Sequence, residues 1–254
     1  MKVQDIYDYL NILAPVDTQM DFDNAGFLIG DPDREVHRVL LSLDVTDSVI
    51  HEAQERGAEL IISHHPVILR PLKNLKSGPE TDKLLLLIRN EISVLSFHTN
   101  LDIAEGGVND VLLELLEAER SDMLDRDGCG RVGEYAEARD FYDYLNFCKE
   151  KLGAPGLRYT YAGKPVKRLA VMGGAGASAI RDAWEKGCDT YLTSDLKYHD
   201  FLLGSELGLN LIDAGHFHTE NPVMDVLRRK LAEAFPEVEF IPGNNSYYKI
   251  FFLT

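Results

Sequence analysis

The side chains best suited to chemistry are histidines and carboxylates, and they come in clusters. His64-His65-Pro66 is one cluster and His98-Thr99-Asn100-Leu101-Asp102 a second. Ser194-Asp195-Leu196-Lys197-Tyr198-His199 and Asp213-Ala214-Gly215-His216-Phe217-His218-Thr219-Glu220 follow. Of the 8 histidines, all but His37 and His51 fall in these segments. Imidazole nitrogen and carboxylate oxygen make up the ligand set of zinc, manganese or iron. Adjacent histidines on an extended or turning chain project in different directions, so His64 and His65 suit two ions better than one. A carboxylate has two oxygens and bridges metals about 3.5–4 Å apart; Asp102 and Glu220 are the candidates for that role. If a helix begins near His216, then His216 and Glu220 lie one turn apart on the same face.

Plainer readings accompany several of these residues. His199 and His218 also read as surface histidines, and Asp195 as the cap of a following helix. Val171-Met172-Gly173-Gly174-Ala175-Gly176-Ala177-Ser178 is a glycine-rich strand-to-helix turn whose amides could hold a phosphate. It lacks the lysine and hydroxyl of a P-loop and the full dinucleotide fingerprint, so the simpler reading is a tight turn needing positive φ. Asp23-Asn24-Ala25-Gly26 reads as a turn before a strand, with a role at the site open. The basic island at 164–168 reads as solvated surface.

Period and punctuation supply the elements that position these clusters. Helices are expected over 3–13, 46–56, 80–89 and 108–118, with strands over 26–29, 38–43, 60–63 and 92–97. The second half repeats the order. Helices are expected over 140–152, 177–186, 198–207 and 219–235, and strands over 157–161, 168–172, 190–193 and 209–212. Two last strands are expected over 238–241 and 247–253. Strands alternating with helices predict an α/β fold with largely parallel sheets. In such folds ligands gather beyond the carboxyl ends of strands, and all four polar clusters sit there. Residues 119–139, acidic and without clear period, read as the join, which puts one α/β repeat at 1–125 and a second at 126–254.

Composition narrows the function. The 254 residues include 26 Lys+Arg and 42 Asp+Glu, a formal charge of −16. That balance disfavours nucleic acid and anionic membranes as partners, because both present phosphates that want a basic face. No apolar run is long enough to span a bilayer, and residues 1–5 lack the basic-then-apolar plan of a signal peptide. Cys129, Cys148 and Cys188 are odd in number and form no C-x-x-C, which fits a reducing, cytoplasmic setting.

The motifs together resemble a known family, the Nif-three-like proteins, often labelled GTP cyclohydrolase 1 type 2 homologues. The matching segments are Asp23-Asn24-Ala25-Gly26-Phe27-Leu28-Ile29-Gly30, Ile61-Ile62-Ser63-His64-His65-Pro66, the His98–Asp102 segment, Gly106-Gly107-Val108-Asn109-Asp110 and the two clusters of the second half. Phe22 departs from the family, which usually has tryptophan there. The resemblance implies two intertwined α/β repeats with mixed sheets and a dinuclear metal centre at strand ends between them. By motif position His64, His65, Asp102, His216 and Glu220 would be the ligands of two divalent ions, with zinc, iron, manganese and cobalt all admissible. His98 would sit close by, among the ligands or just outside them, and is the candidate for proton transfer, since an imidazole titrates near physiological pH. The implied activity is hydrolysis of a small molecule, with GTP the nucleotide of the label: water attacks the purine C8, and the opened ring loses formate. Glycine-turn amides or Lys197 would meet the phosphates. The resemblance also implies a homohexamer. The competing expectation is a non-enzymatic, metal-binding regulatory or protein-interaction assembly.

Overall fold

The computed structural model describes residues 1–244. Among the described residues its contacts divide into two units, Met1–Ala104 together with residues 224–244, and Glu105–Val223. The expected division lay at 125/126; by contacts the first stretch of the first unit ends at Ala104, and the chain returns to that unit at Met224 for most of the last helix and the last described strand. That return is the intertwining which a linear reading could not place.

In the first unit the order is α1 (Val3–Leu13), β1 (Gly26–Ile29), β2 (Arg38–Ser42), α2 (Asp47–Glu55), β3 (Leu60–Ser63), α3 (Asp82–Arg89), β4 (Ser93–Ser96) and α4 (Thr99–Ile103). The second unit runs α5 (Val108–Leu115), β5 (Glu119–Met123), β6 (Arg131–Arg139), α6 (Phe141–Lys151), β7 (Arg158–Thr160), β8 (Val166–Ala175), α7 (Ile180–Glu185), β9 (Thr190–Ser194), α8 (Tyr198–Leu207), β10 (Asn210–Asp213) and α9 (His216–Glu220). The chain then continues through α10 (Pro222–Ala234) to β11 (Glu239–Pro242). Proline in the first turn of α10 splits the single helix expected over 219–235, since its ring tolerates only a helix start. The strand expected over 247–253 lies outside the described residues.

The two sheets share a plan. The first is ordered β1-β4-β3-β2-β11 and the second β7-β10-β9-β8-β6-β5. Each has a core of three parallel strands (β2, β3, β4 and β8, β9, β10), extended in the first sheet by β11 parallel to β2, and a short antiparallel strand closes one edge, β1 on β4 and β7 on β10. The repeat is therefore one of topology, α-β-β-α-β-α-β-α twice, as the order of elements predicts.

Each sheet buries its own core. Leu40, Ile61, Val94, Ile50 and Leu87 are fully buried in the first unit, and Leu169, Val171, Leu192, Ile212 and Phe141 are at most 1 % exposed in the second. Both parallel centres read as apolar runs because helices cover their faces. The expected join at 119–139 is instead a strand pair, β5 antiparallel to β6 and β6 to β8. β5 stands at the sheet edge with Glu119, Arg120, Ser121 and Asp122 exposed, so no period-2 apolar signal was there to read.

Candidate metal centre

In the first unit β3 and β4 lie side by side, in register from Ser63 opposite Ser96. The hydroxyls of these two serines are 2.8 Å apart, and Ser63 Oγ donates to the His65 carbonyl at 2.9 Å. The strand ends are thus pinned where the histidines begin. His64 is fully buried, and its Nδ1 donates to the Phe97 carbonyl at 2.9 Å. A carbonyl can only accept, so Nδ1 carries a proton and Nε2 is the nitrogen turned away from that bond. That Nε2 lies 3.6 Å from Asp102 Oδ1. His65 Nδ1 donates to Asp44 Oδ1 and His98 Nδ1 to Asp23 Oδ1, each at 2.8 Å. One ligand nitrogen from each of His64, His65 and His98 lies within 4.8 Å of the others.

The Asp23 side chain is fully buried. It also accepts from the Thr99 amide at 3.0 Å and from Thr99 Oγ1 at 2.5 Å. Burial alone would push this carboxyl up, but the hydrogen bonds from His98 and Thr99 outweigh it and hold Asp23 well below the usual carboxylate range. An ionised Asp23 therefore fixes the ring of His98. The wall behind it is tied down by Asn100 Nδ2, which donates to the Ala14 carbonyl at 2.7 Å.

The second unit repeats the device. α9 follows β10 as α4 follows β4, and His216 and Glu220 have the spacing of His98 and Asp102. His216 Nδ1 donates to Asp195 Oδ2 at 2.8 Å, while His216 Nε2 lies 3.0 Å from Glu220 Oε2. Glu220 is 4 % exposed. Burial lowers the His216 pKa, but Glu220 and Asp195 override it and raise it to about 9. The imidazole is thus protonated at neutral pH in the metal-free chain, and a metal must displace that proton. Because the folded pKa lies above the unfolded value of about 6.5, this pairing contributes stability fully below that pH and loses it as pH rises through about 9. NMR titration of the metal-free protein should find the His216 ring titrating near pH 9, and Asp195→Asn should lower that midpoint. An ordinary midpoint would contradict the geometry.

Asp195 does not cap the helix that follows; Lys197 holds the cap position of α8, and its amide donates to Asp200. Asp195 instead takes a positive φ of 57° at the strand end, which an aspartate tolerates, and turns its carboxylate to His216. The glycine turn is not a phosphate cradle either. The Gly173 amide donates to Asn109 Oδ1, that of Gly174 to Thr219 Oγ1 and that of Gly176 to Thr193 Oγ1. Its glycines make room: a Cβ on Gly174 (φ +66°) would lie 2.1 Å from Glu220 Oε1 and 3.3 Å from His216 Nε2. Gly174→Ala should therefore displace Glu220, lowering both the melting temperature and the metal retained on dialysis. Unchanged metal content would show that Glu220 does not need that place.

Of the remaining sequence candidates, His218 turns Nδ1 to the Leu152 carbonyl at 3.3 Å and His199 is exposed beside Tyr198. Arg168, from the basic island, pairs with Glu134. Sequence reasoning missed Asp44 and the partnership of Asp23 with His98. Asp44 follows β2, so the strand-end rule applied to that strand as well would have found it.

These residues fit a metal by the chemistry of their donor set. His64, His65 and His216 each commit Nδ1 to a carboxylate or a carbonyl, the outer partnership that fixes the tautomer of metal-binding imidazoles, and Asp23 orients the neighbouring His98 in the same way. Carboxylates stand beside Nε2 of His64 and His216. Fold and site together define a duplicated α/β protein with histidine–carboxylate clusters at its strand ends. A model of the family described as Duf34/NIF3 (NGG1p interacting factor 3) matches residues 1–246, and the chain belongs to that family. It is 36 % identical to the GTP cyclohydrolase 1 type 2 homolog of Clostridium perfringens, over 95 % of each chain. To the protein of that name from Methanocaldococcus jannaschii it is also 36 % identical, over 87 % of this chain and 90 % of that one. Among solved structures, Staphylococcus aureus hypothetical protein SA1388 superposes with a TM-score of 0.93 at 27 % identity, covering 100 % of this chain and 99 % of that one. Reduced HcgD from Methanocaldococcus jannaschii superposes with a TM-score of 0.85 at 33 % identity, covering 96 % and 98 %.

Proposed function

We propose that this chain is a metal-dependent hydrolase with two divalent ions per subunit, acting on a small phosphorylated substrate of the nucleotide class. The observation that carries the reading is the convergence of His64, His65 and His98 within 4.8 Å, each ring oriented through Nδ1. His64, His65, Asp102, His216 and Glu220 are assigned as ligands. Divalent ions held by such residues polarise a substrate and bring water toward ionisation at neutral pH.

His98 is the residue assigned to proton transfer. Asp23 holds its Nδ1–H, so Nε2 is the nitrogen that takes a proton and returns it. The buried, ionised Asp23 also stabilises the imidazolium formed in between. The relatives' label points to GTP, and a cyclohydrolase reaction would release formate. No helix among the described residues is long and apolar enough to cross a membrane, and the homohexamer implied by the resemblance belongs to the same proposal, checked by sedimentation.

The test is elemental analysis of purified protein followed by a nucleotide-hydrolysis panel with formate as readout. Two ions per chain and turnover with GTP support the reading. Two ions without turnover on any nucleotide favour instead a metal-binding interaction protein, the interaction part of which matches the words of the family description. A chain that retains no divalent metal overturns both.

A further inference from the structure

Residues 64–81, which join β3 to α3, carry no helix or strand. Connections beyond about 12–15 residues are uncommon inside compact units and usually bind or cover something. This one begins with His64 and His65. It then repeats a three-residue pattern, Leu69-Arg70-Pro71, Leu72-Lys73-Asn74, Leu75-Lys76-Ser77. An apolar residue followed by a cation, at period three, puts like with like along an extended chain. The three leucines remain 42 %, 38 % and 43 % exposed. Among the described residues none of the three cations is held by a carboxylate, unlike Arg158 with Asp213 or Arg168 with Glu134.

The loop also has a shape. Leu72, Lys73, Asn74 and Lys76 line an open concavity of about 520 Å³, with Glu80 as the one carboxylate in its lining. The far wall is fixed: Ser77 Oγ and the Gly78 amide donate to Asp82 Oδ1 at 2.6 and 3.1 Å, and Thr81 Oγ1 donates to the Lys76 carbonyl at 2.5 Å. The near end is fixed as well, since Asn24 Nδ2 donates to the Ile68 carbonyl at 2.6 Å. That bond ties the loop to the neighbour of Asp23, the residue that orients His98. In a chain of −16, residues 60–79 hold no Asp or Glu.

We propose that residues 69–77 are the recognition element for an organic phosphate. Its apolar or planar body lies on Leu72 and the flanking Pro71, and its phosphoryl oxygens meet Lys73, Lys76 and the Asn74 amide. The proposal rests on the hydrolase reading above only for identifying the ligand as substrate. An ammonium–phosphate pair is strong locally and screened beyond about 10 Å in ordinary salt. A short basic segment can therefore hold phosphate on an acidic molecule.

The experiment uses the full chain. Metal-stripped protein is titrated calorimetrically with inorganic tripolyphosphate and with GTP at low salt. Both should bind, and Lys73→Gln with Lys76→Gln should weaken both at least tenfold while leaving metal uptake as in the wild type. Leu72→Ser should weaken GTP and spare tripolyphosphate. Equal affinities in wild type and double variant, or no binding at millimolar ligand, would overturn the assignment. Reloading with metal separates two sources of the phosphate: tighter GTP binding marks a substrate reaching both loop and metal, whereas unchanged affinity marks a separate effector and overturns the substrate assignment. Lysine-dependent binding without formate release from any nucleotide would defeat the hydrolase reading alone. Formate release with a KM indifferent to the lysines would defeat the loop assignment alone.

Discussion

Asp102→Asn should fold as the wild type does and lose metal affinity by at least a hundredfold, with hydrolysis falling in step. Asp102 is 8 % exposed, and its Oδ1 lies 3.6 Å from the Nε2 of a fully buried histidine. Asparagine matches its shape but offers a neutral oxygen and an N–H where a divalent ion needs negative charge. Loss of an outer partner of a metal-binding residue usually costs about 10–100-fold in affinity or activity, and loss of a ligand should cost more. Asp23→Asn provides the contrast. It keeps a group able to meet His98 Nδ1, removes the buried charge, and leaves His64, Asp102 and their contacts as they are. Metal content should stay within severalfold of wild type, while turnover falls about 10²–10⁴-fold, the range for a lost acid–base residue. The two variants are read by the same pair of measurements, metal per chain by elemental analysis and kcat by formate release. If Asp23→Asn stripped the metal and spared residual turnover, the roles assigned here would be exchanged. If Asp102→Asn kept both, Asp102 would not be a ligand at all.

What the sequence made legible is whatever repeats or punctuates. Strands 26–29 and 60–63 are placed to the residue, because glycine, proline and β-branched runs bound them sharply. The strand-end rule then pointed, without any contact information, to the segments that hold His64, His65, His98, Asp102, His216 and Glu220, within which the family resemblance singled out those residues. It failed where partnership crosses between segments. Asp23 and His98 are far apart in the chain, as are Asp195 and His216, and no spacing rule links them; only the fold brings a turn before β1 to the end of β4. The glycine run read as a tight turn after the strand, but Gly173 and Gly174 lie within β8, at a bulge between Val171 and Ala175; only the positive φ at Gly174 matched that reading, and the run's purpose was not legible. Gly174 is small because Glu220 needs the space, which becomes visible only when both are placed. The segment 119–139 was misread for a physical reason: an edge strand with solvent on both faces needs no alternating apolar residues. Hidden in that segment is the least expected residue of the second unit, Arg131.

Arg131 is fully buried, and its guanidinium is spent on several acceptors at once. Nε donates to Asp110 Oδ1 at 2.6 Å and Nη2 to Asp110 Oδ2 at 3.3 Å, while Nη1 donates to the carbonyls of Gly128 and Gly130 at 2.8 and 2.9 Å. Removing the partner of a buried charge costs about 3–5 kcal/mol when the remaining groups lose their compensation. Asp110 keeps Arg120 at 3.2 Å and the Gly106 amide at 2.7 Å, so the cost here falls toward the lower end and comes mainly from the emptied cavity and the two stranded carbonyls. That is a large part of the 5–15 kcal/mol by which folded domains are typically stable. Arg131→Ala should therefore shift the urea midpoint sharply downward with little change in slope. Arg131→Lys should fall between, since one ammonium can meet Asp110 but cannot span the planar fork that also reaches two carbonyls. A shift below about 1 kcal/mol for the alanine variant, the size of an exposed pair, would mean that water replaces the side chain. The consequence extends to the site. Asp110 and Asn109 are neighbours on α5, and Asn109 Oδ1 accepts the Gly173 amide at 2.9 Å. Gly173 packs against Glu220, as does Gly174. Loosening Arg131 loosens the strand against which Glu220 is seated, so the alanine variant should lose metal at urea concentrations that leave wild-type metal content untouched.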